Sequence, residues 1–383
     1  MLQRKKIIHS QEERFAGFSA EERIVNKADS GLGAISNMDA SDLGLFGDHN
    51  QWHRVQRIDL STGAKTKHPK LPENDNISGA PDKLLEANRF WRKEFWPSPF
   101  DSTSHVIKQG DARDLGFLKN ASVHLIVTSP PYFNLKPYNG DCGGKQLGRI
   151  PNYEEFLAEL DKVWAECFRI LVPGGRICCV IGDILLPRKL DGRHRILPLP
   201  ADIMVRSREV GFDALTPILW FKIGNRTNEA GGGSSGYYGK PYQPGAIIKN
   251  DFEHILMLRK PGGYRKTTML QKSLSMLQRD EMDLWQRPFW SDIRGASLRD
   301  GHPAPYPLEL AERLIKMYSF AGDTTLDPFG GSGSTSVAAI KTGRNSILVE
   351  IDKDYLEMAS RKILQELKKV RSSGPSIQTA LFG

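Results

Sequence analysis

Thr128-Ser129-Pro130-Pro131-Tyr132 is the string whose residue types point most narrowly to one chemistry. Two consecutive prolines lock the backbone and remove two N–H donors, so the loop presents carbonyl oxygens and the Ser129 hydroxyl. Such a site accepts hydrogen bonds from an –NH2 group, while Tyr132 can stack on a planar ring. A base amine is a poor nucleophile because its lone pair is delocalised into the ring. Holding both N–H bonds against acceptors favours the pyramidal geometry that frees the pair for in-line attack. The plainer reading, a rigid turn at a strand end, is disfavoured by a second motif far along the chain.

That motif is Asp327-Pro328-Phe329-Gly330-Gly331-Ser332-Gly333-Ser334-Thr335, between an apolar strand and a helix. Glycines there let the backbone turn tightly beside the positive helix N-terminus. Dinucleotide and phosphate binders use such turns too, but no lysine closes this one in the G-K-[ST] manner, which disfavours a nucleoside triphosphatase. The next strand ends in Val349-Glu350-Ile351-Asp352, and an acid at that place suits a ribose diol. Glycine turn plus acid indicates an adenosyl cofactor.

These loops need strands and helices to hold them. Val106-Ile107, Val123 to Val127 and Ile177 to Ile181 read as short buried strands. Tyr153 to Leu171 carries apolar residues at helical spacing and is expected to stop at Pro173-Gly174-Gly175. Leu199 to Val210 reads as a helix ended by Gly211, and Leu215 to Lys222 as a strand. Asn225 to Gly263 and Arg265 to Arg299 break the rhythm. It resumes with helices over Leu308 to Tyr318, Ser334 to Lys341 and Tyr355 to Val370, and with strands at Thr325-Leu326 and Ser346 to Glu350. Strand–helix alternation predicts an α/β fold with a mostly parallel sheet covered on both faces. Arg89 to Phe100 alternates aromatics with cations, which suits either DNA docking or a short helix packed on the main domain.

The 383 residues carry a net charge of +8, which favours polyanionic partners without proving one. The four cysteines, Cys142, Cys167, Cys178 and Cys179, have no zinc-ligand spacing, and Cys178-Cys179 sit in an apolar strand. His254 and His302 lack companions at ligand spacing, so no metal is expected. Met1 to Ser10 has no signal-peptide stretch and nothing resembles a membrane span, so a cytoplasmic, nucleoid-associated protein is expected.

Taken together the motifs resemble the permuted (beta-class) DNA amino-methyltransferases of restriction–modification systems, in which the catalytic motif precedes the cofactor motif. The resemblance runs from about Ile107 to Ile363. Gly110-Asp111-Ala112 is similar to the family's cofactor-proximal Gly-Asp element, and Leu171 to Asp183 to its next sheet element. His302-Pro303-Ala304-Pro305-Tyr306-Pro307 resembles the segment leading into the cofactor helix, and Arg344 to Asp352 with Tyr355 the closing strand and helix.

This resemblance implies a Rossmann-like methyltransferase sheet of seven strands, S-adenosylmethionine as methyl donor, and double-stranded DNA as substrate. A restriction endonuclease would be its functional counterpart. It also implies roles. Ser129 and the Pro130 carbonyl would hold the target amine, with Pro131 and Tyr132 completing the loop. Asp111, Asp327, Pro328, Phe329, Gly331, Gly333, Ser334, Thr335 and Glu350 would hold the cofactor. The target would be flipped from the duplex; Asp183 and Trp220 are candidates for its pocket, each with a structural alternative as a turn cap and a core aromatic. Residues 105–224 would form the catalytic half, 225–300 the target-recognition region and 301–370 the cofactor half. Residues 1–104 would be a polar extension and 371–383 a tail. Cations and aromatics at Tyr237, Tyr238, Lys240, Lys249, Arg259, Lys260, Arg265 and Lys266 suit phosphates and bases.

Ser-Pro-Pro-Tyr is the family's usual form for cytosine N4, so that atom is preferred over adenine N6. Cytosine C5 is disfavoured because no cysteine follows a proline in the loop. Methylation of RNA or a protein amide, and a non-catalytic DNA-binding protein on the same scaffold, are the remaining readings.

Overall fold

Apolar periodicity accounts for most of the architecture in the computed structural model, which describes residues 53–55, 68–133, 146–186, 191–193, 195–222, 250–295 and 306–373. The elements begin with β1 (His53–Val55), α1 (Ala80–Trp91), β2 (His105–Gln109) and β3 (Val123–Thr128). Next come α2 (Tyr153–Ile170), β4 (Leu171–Ile181), a hairpin of β5 (Ile184–Leu186) and β6 (Arg195–Leu197), α3 (Leu199–Val210), β7 (Asp213–Phe221) and β8 (Phe252–Arg259). Two short helices follow, α4 (Met269–Ser275) and α5 (Arg279–Trp285), then β9 (Phe289–Trp290). The chain then runs through α6 (Leu308–Tyr318), β10 (Thr324–Asp327), α7 (Ser334–Lys341), β11 (Asn345–Glu350) and α8 (Lys353–Ser373).

One sheet has the order β1-β2-β11-β10-β3-β4-β8-β7-β9. β2, β11, β10, β3 and β4 are mutually parallel, while β8 runs antiparallel to both β4 and β7. The resemblance implies seven strands; the two extra ones, β1 and β9, are edge strands of three and two residues. Strands that short lack the alternating run that betrays a strand in sequence.

α2 shows how sequence sets an element. Asn152 accepts from the Glu155 N–H at 3.0 Å, and Glu154 and Glu155 complement the helix dipole. Phe156, Leu157, Leu160, Val163, Trp164, Cys167 and Ile170 are all buried against the sheet. The helix ends at Ile170, and Pro173-Gly174-Gly175 falls inside β4 rather than before it. A register shift against β3 between Val123 and Leu125 absorbs the irregularity, with Gly174 at φ 78°. α3 stops at Gly211, whose φ of 116° suits glycine.

The sheet is covered on both faces, by α2 and α3 on one and by α6 and α7 on the other. The aromatic–cationic stretch 89–100 packs inward: Trp91 and Trp96 are buried with Leu274 and Ala321. Order returns earlier than expected after Asn225, because β8, α4, α5 and β9 lie within the segments read as irregular. Tyr237, Tyr238, Lys240, Lys249, Cys142 and His302 to Pro305 lie outside the described residues. Among the described residues no helix is long and apolar enough to cross a membrane, and no group of His, Cys, Asp and Glu could hold a metal.

Candidate active site

Parallel strands deliver their C-terminal loops to one edge of a sheet. β2 leads into Gly110-Asp111, β3 into Ser129 and β10 into Pro328, and β11 ends at Glu350, so segments far apart in the chain meet. They line a cleft of about 680 Å³, open to solvent. Asp111, Ser129, Pro130, Pro131, Tyr132, Pro328, Phe329, Gly331 and Glu350 all face it, together with Gly110, Ala112, Gln146, Leu147, Ile351 and Tyr355. Gln146 and Leu147 precede and open a short turn of 3-10 helix, Leu147–Arg149, and belong to no motif; nothing in their local sequence marks them.

The proline loop is held from beneath. Phe133 has a φ of 50°, a left-handed conformation rare for a bulky residue. Its ring is fixed by Tyr153 and Phe156, each with centroids 5.5 Å away. Thr128 Oγ donates to Asp327 Oδ1 at 2.7 Å.

Asp327 is buried and does not line the cleft. Its Oδ1 also accepts from the Phe329 N–H at 3.1 Å, while Oδ2 lies 2.9 Å from the Tyr306 hydroxyl and 2.8 Å from Thr335 Oγ. Burial pushes this carboxyl up, and the surrounding donors pull it back. Asp327 and Thr335 therefore tie the loops together from behind. Gly333 and Ser334 also lie off the cleft, at the start of α7. A Cβ on Gly333 would sit 3.2 Å from the Ala359 Cα, so glycine lets α7 start against α8.

Glu350 is 9% exposed. Its Oε2 accepts from the Gly331 N–H at 2.8 Å and its Oε1 from the Asp352 N–H at 2.9 Å. Each oxygen thus keeps lone-pair capacity toward the cleft. Burial raises its pKa to about 7, opposed by those two N–H bonds and reinforced by Asp352 and Asp327. Asp111 is clamped by Arg113, whose Nη2 lies 2.6 Å from Oδ2 and whose Nη1 reaches Glu159 at 2.5 Å. A carboxylate beside glycine amides, an aromatic wall at Phe329 and an apolar one at Ile351 suit a nucleoside with a free diol.

Trp220 is corrected from a candidate base-pocket residue to a core residue. It is 0% exposed, and its indole N–H donates to the Ile293 carbonyl at 2.9 Å. Asp183 is half-buried two residues past β4, its carboxyl pushed up by burial, and it does not line the cleft. Three cations assigned to DNA serve the fold instead. Arg259 pairs with Asp213 at 2.8 Å, Lys260 caps carbonyls of Phe168 and Leu171, and Arg265 pairs with Asp323. The reason is direction: β8 is antiparallel to β4, so its C-terminal end at Arg259 lies at the sheet edge opposite the cleft. Cys167, Cys178 and Cys179 are buried, and burial pushes the Cys178 thiol up to about 12 and the other two upward as well. None is a poised thiolate.

Comparison with known proteins agrees with this geometry. The profile of the N6/N4 DNA methylases matches residues 123–361. The type II methyltransferase M.MjaI of Methanocaldococcus jannaschii is 34% identical over 70% of this chain and 94% of its own length. The DNA adenine methyltransferase YhdJ of Escherichia coli is 28% identical over 72% of this chain and 90% of its own. A crystal structure from Thermus thermophilus, provisionally described as a DNA modification methylase complexed with S-adenosyl-L-methionine, is 46% identical. It covers 69% of this chain and 93% of that one, with a TM-score of 0.56. The chain belongs to the N6/N4 DNA methylase family.

Proposed function

We propose that this protein transfers a methyl group from S-adenosylmethionine to the exocyclic N4 amine of cytosine in double-stranded DNA. The observation that carries it is one cleft walled on one side by Ser129 to Tyr132 and on the other by Phe329, Gly331 and Glu350. When bound, the cofactor supplies a methyl group activated by a sulfonium. Glu350 accepts the ribose hydroxyls, and Phe329 and Asp111 border the adenosine. Ser129 Oγ and the Pro130 carbonyl accept from the amine and turn its lone pair toward the methyl, while Tyr132 stacks on the flipped ring. The N–C bond would form as the sulfonium's S–CH3 bond breaks to leave a neutral thioether, with the surplus amine proton released to solvent from the open cleft, and no covalent enzyme intermediate is required. Asp183, just past the end of β4, the strand that neighbours β3 in the sheet, stays a candidate for the wall of the base pocket.

In this reading residues 105–224 carry the amine site, 301–370 the cofactor site and 225–300 sequence recognition. A restriction endonuclease of matching specificity is the functional counterpart. Cytosine rests on Ser129, the residue where adenine enzymes of the resembling class usually carry an aspartate. Adenine N6 is the second reading, favoured by the similarity to YhdJ. The test is incubation with labelled S-adenosylmethionine and unmethylated bacterial DNA, followed by digestion to nucleosides. Label in N4-methylcytosine supports the proposal; label in N6-methyladenine replaces it with the second reading, and unlabelled DNA sinks both.

A further inference from the structure

Three phenylalanines stand together on the outer strands: Phe221 ends β7, Phe252 opens β8 and Phe289 lies in β9. Their ring centroids are 5.5 Å apart for Phe221–Phe252, 5.9 Å for Phe252–Phe289 and 6.5 Å for Phe221–Phe289. Register explains the cluster. Phe221 pairs with Phe252 and Leu219 with Phe289, so all three rings leave the same sheet face, while Trp220 and Trp290 turn to the other. Those tryptophans are core, yet Phe252 is 39% exposed and Phe289 45%. Other exposed large apolar side chains among the described residues, such as Val205 and Tyr264, are not part of this ring cluster, and a contiguous exposed aromatic cluster marks a contact surface.

The patch sits on the catalytic edge. β7 runs with β4, and β8 starts where β4 ends, so Phe221 and Phe252 lie at the level of the loop after β4. That loop joins them to the active site. A Cβ on Gly182 would lie 3.5 Å from the Tyr132 ring and 3.9 Å from the Phe252 carbonyl. Arg287 and Arg294, both exposed, lie on the segment that carries Phe289. Aromatic faces beside cations suit nucleobases held by their phosphates. β7 is two strand spacings from β4, about 10 Å, or roughly three base steps along a DNA strand.

We propose that Phe221, Phe252 and Phe289 form a stacking surface for nucleobases a few steps from the flipped target, an inference that rests on the DNA-methylating function above. Extruding one base removes stacking from its neighbours, and a π-face supplied by the protein offsets that loss without demanding a particular base.

The experiment measures methyl transfer to unmethylated bacterial genomic DNA as a function of DNA concentration, for wild type and for F252L, F289L, F252Y and F289Y. Cofactor affinity is measured in parallel by calorimetry and molecular mass by sedimentation. The leucine variants are expected to raise KM for DNA roughly ten-fold, with the tyrosine variants near wild type and cofactor affinity unchanged throughout. Leucine variants that match wild type would overturn the proposal, as would equal losses for leucine and tyrosine. A fall in mass from dimer to monomer on F289L would assign the patch to a second copy of this chain instead. Wild-type protein that binds cofactor but labels no DNA would sink the function itself, a failure visible before any variant is compared.

Discussion

The Thr128 hydroxyl donates a hydrogen bond to Asp327 across 2.7 Å, joining the strand end that carries the proline loop to the strand end that carries the glycine turn. Both residues are buried, and neither faces the cleft. Their contact sets the spacing between the two loops that must bring donor and acceptor atoms together. T128V keeps the shape and removes the bond. It should lower kcat about ten-fold, since small misplacements of reacting groups are costly, and leave cofactor affinity within about two-fold. T128S should restore kcat. A T128V protein with unchanged kcat would show that packing alone holds the loops.

Glu350 links pH to cofactor binding. Its pKa of about 7 means that the free protein carries a growing share of neutral carboxyl as pH falls below that value. A diol donates to the ionised form, so affinity should weaken about ten-fold per unit below pH 7 and level off above it. E350Q should bind at least ten-fold more weakly and lose this pH dependence. Calorimetric titrations with S-adenosylmethionine on both sides of that pKa check both outcomes.

His105 supplies an acid-sensitive contribution to stability. It is buried, with Nδ1 2.9 Å from Ser346 Oγ and Nε2 2.9 Å from Thr103 Oγ, and burial lowers its pKa from 6.5 to about 4. The fold prefers the neutral ring. The contribution is complete above pH 6.5 and is lost as pH falls from 6.5 to about 4, a total loss of about 3 kcal/mol. Urea melts in neutral and in acidic buffer should show a larger loss for wild type than for H105Q. Equal losses would place the acid sensitivity elsewhere.

Gly330 tests the packing behind the glycine turn. A Cβ there would overlap the Leu348 side chain on β11. G330A should cost about 1–3 kcal/mol by overpacking, and the double variant G330A/L348A should regain part of it. Thermal melts of the four proteins in the cycle give the coupling.

Most of this site was legible in one dimension. The proline loop and the glycine turn carry their chemistry in adjacent residues, because restricted backbone and absent side chains are local properties. Helical spacing marked Tyr153 to Ile170 and Leu308 to Tyr318, since a helix that faces a core writes its period into the chain. Tertiary structure decided the rest. Trp220 and the Phe221 beside it read alike as aromatics at a strand end, yet strand alternation sends one into the core and the other to the exposed cluster. The direction of β8 put Arg259 and Lys260 at the end of the sheet away from the cleft. Gln146, Leu147 and the Thr128–Asp327 contact join residues with no common motif. Which segments meet depends on strand order, and strand order is set by how the whole sheet buries its two faces.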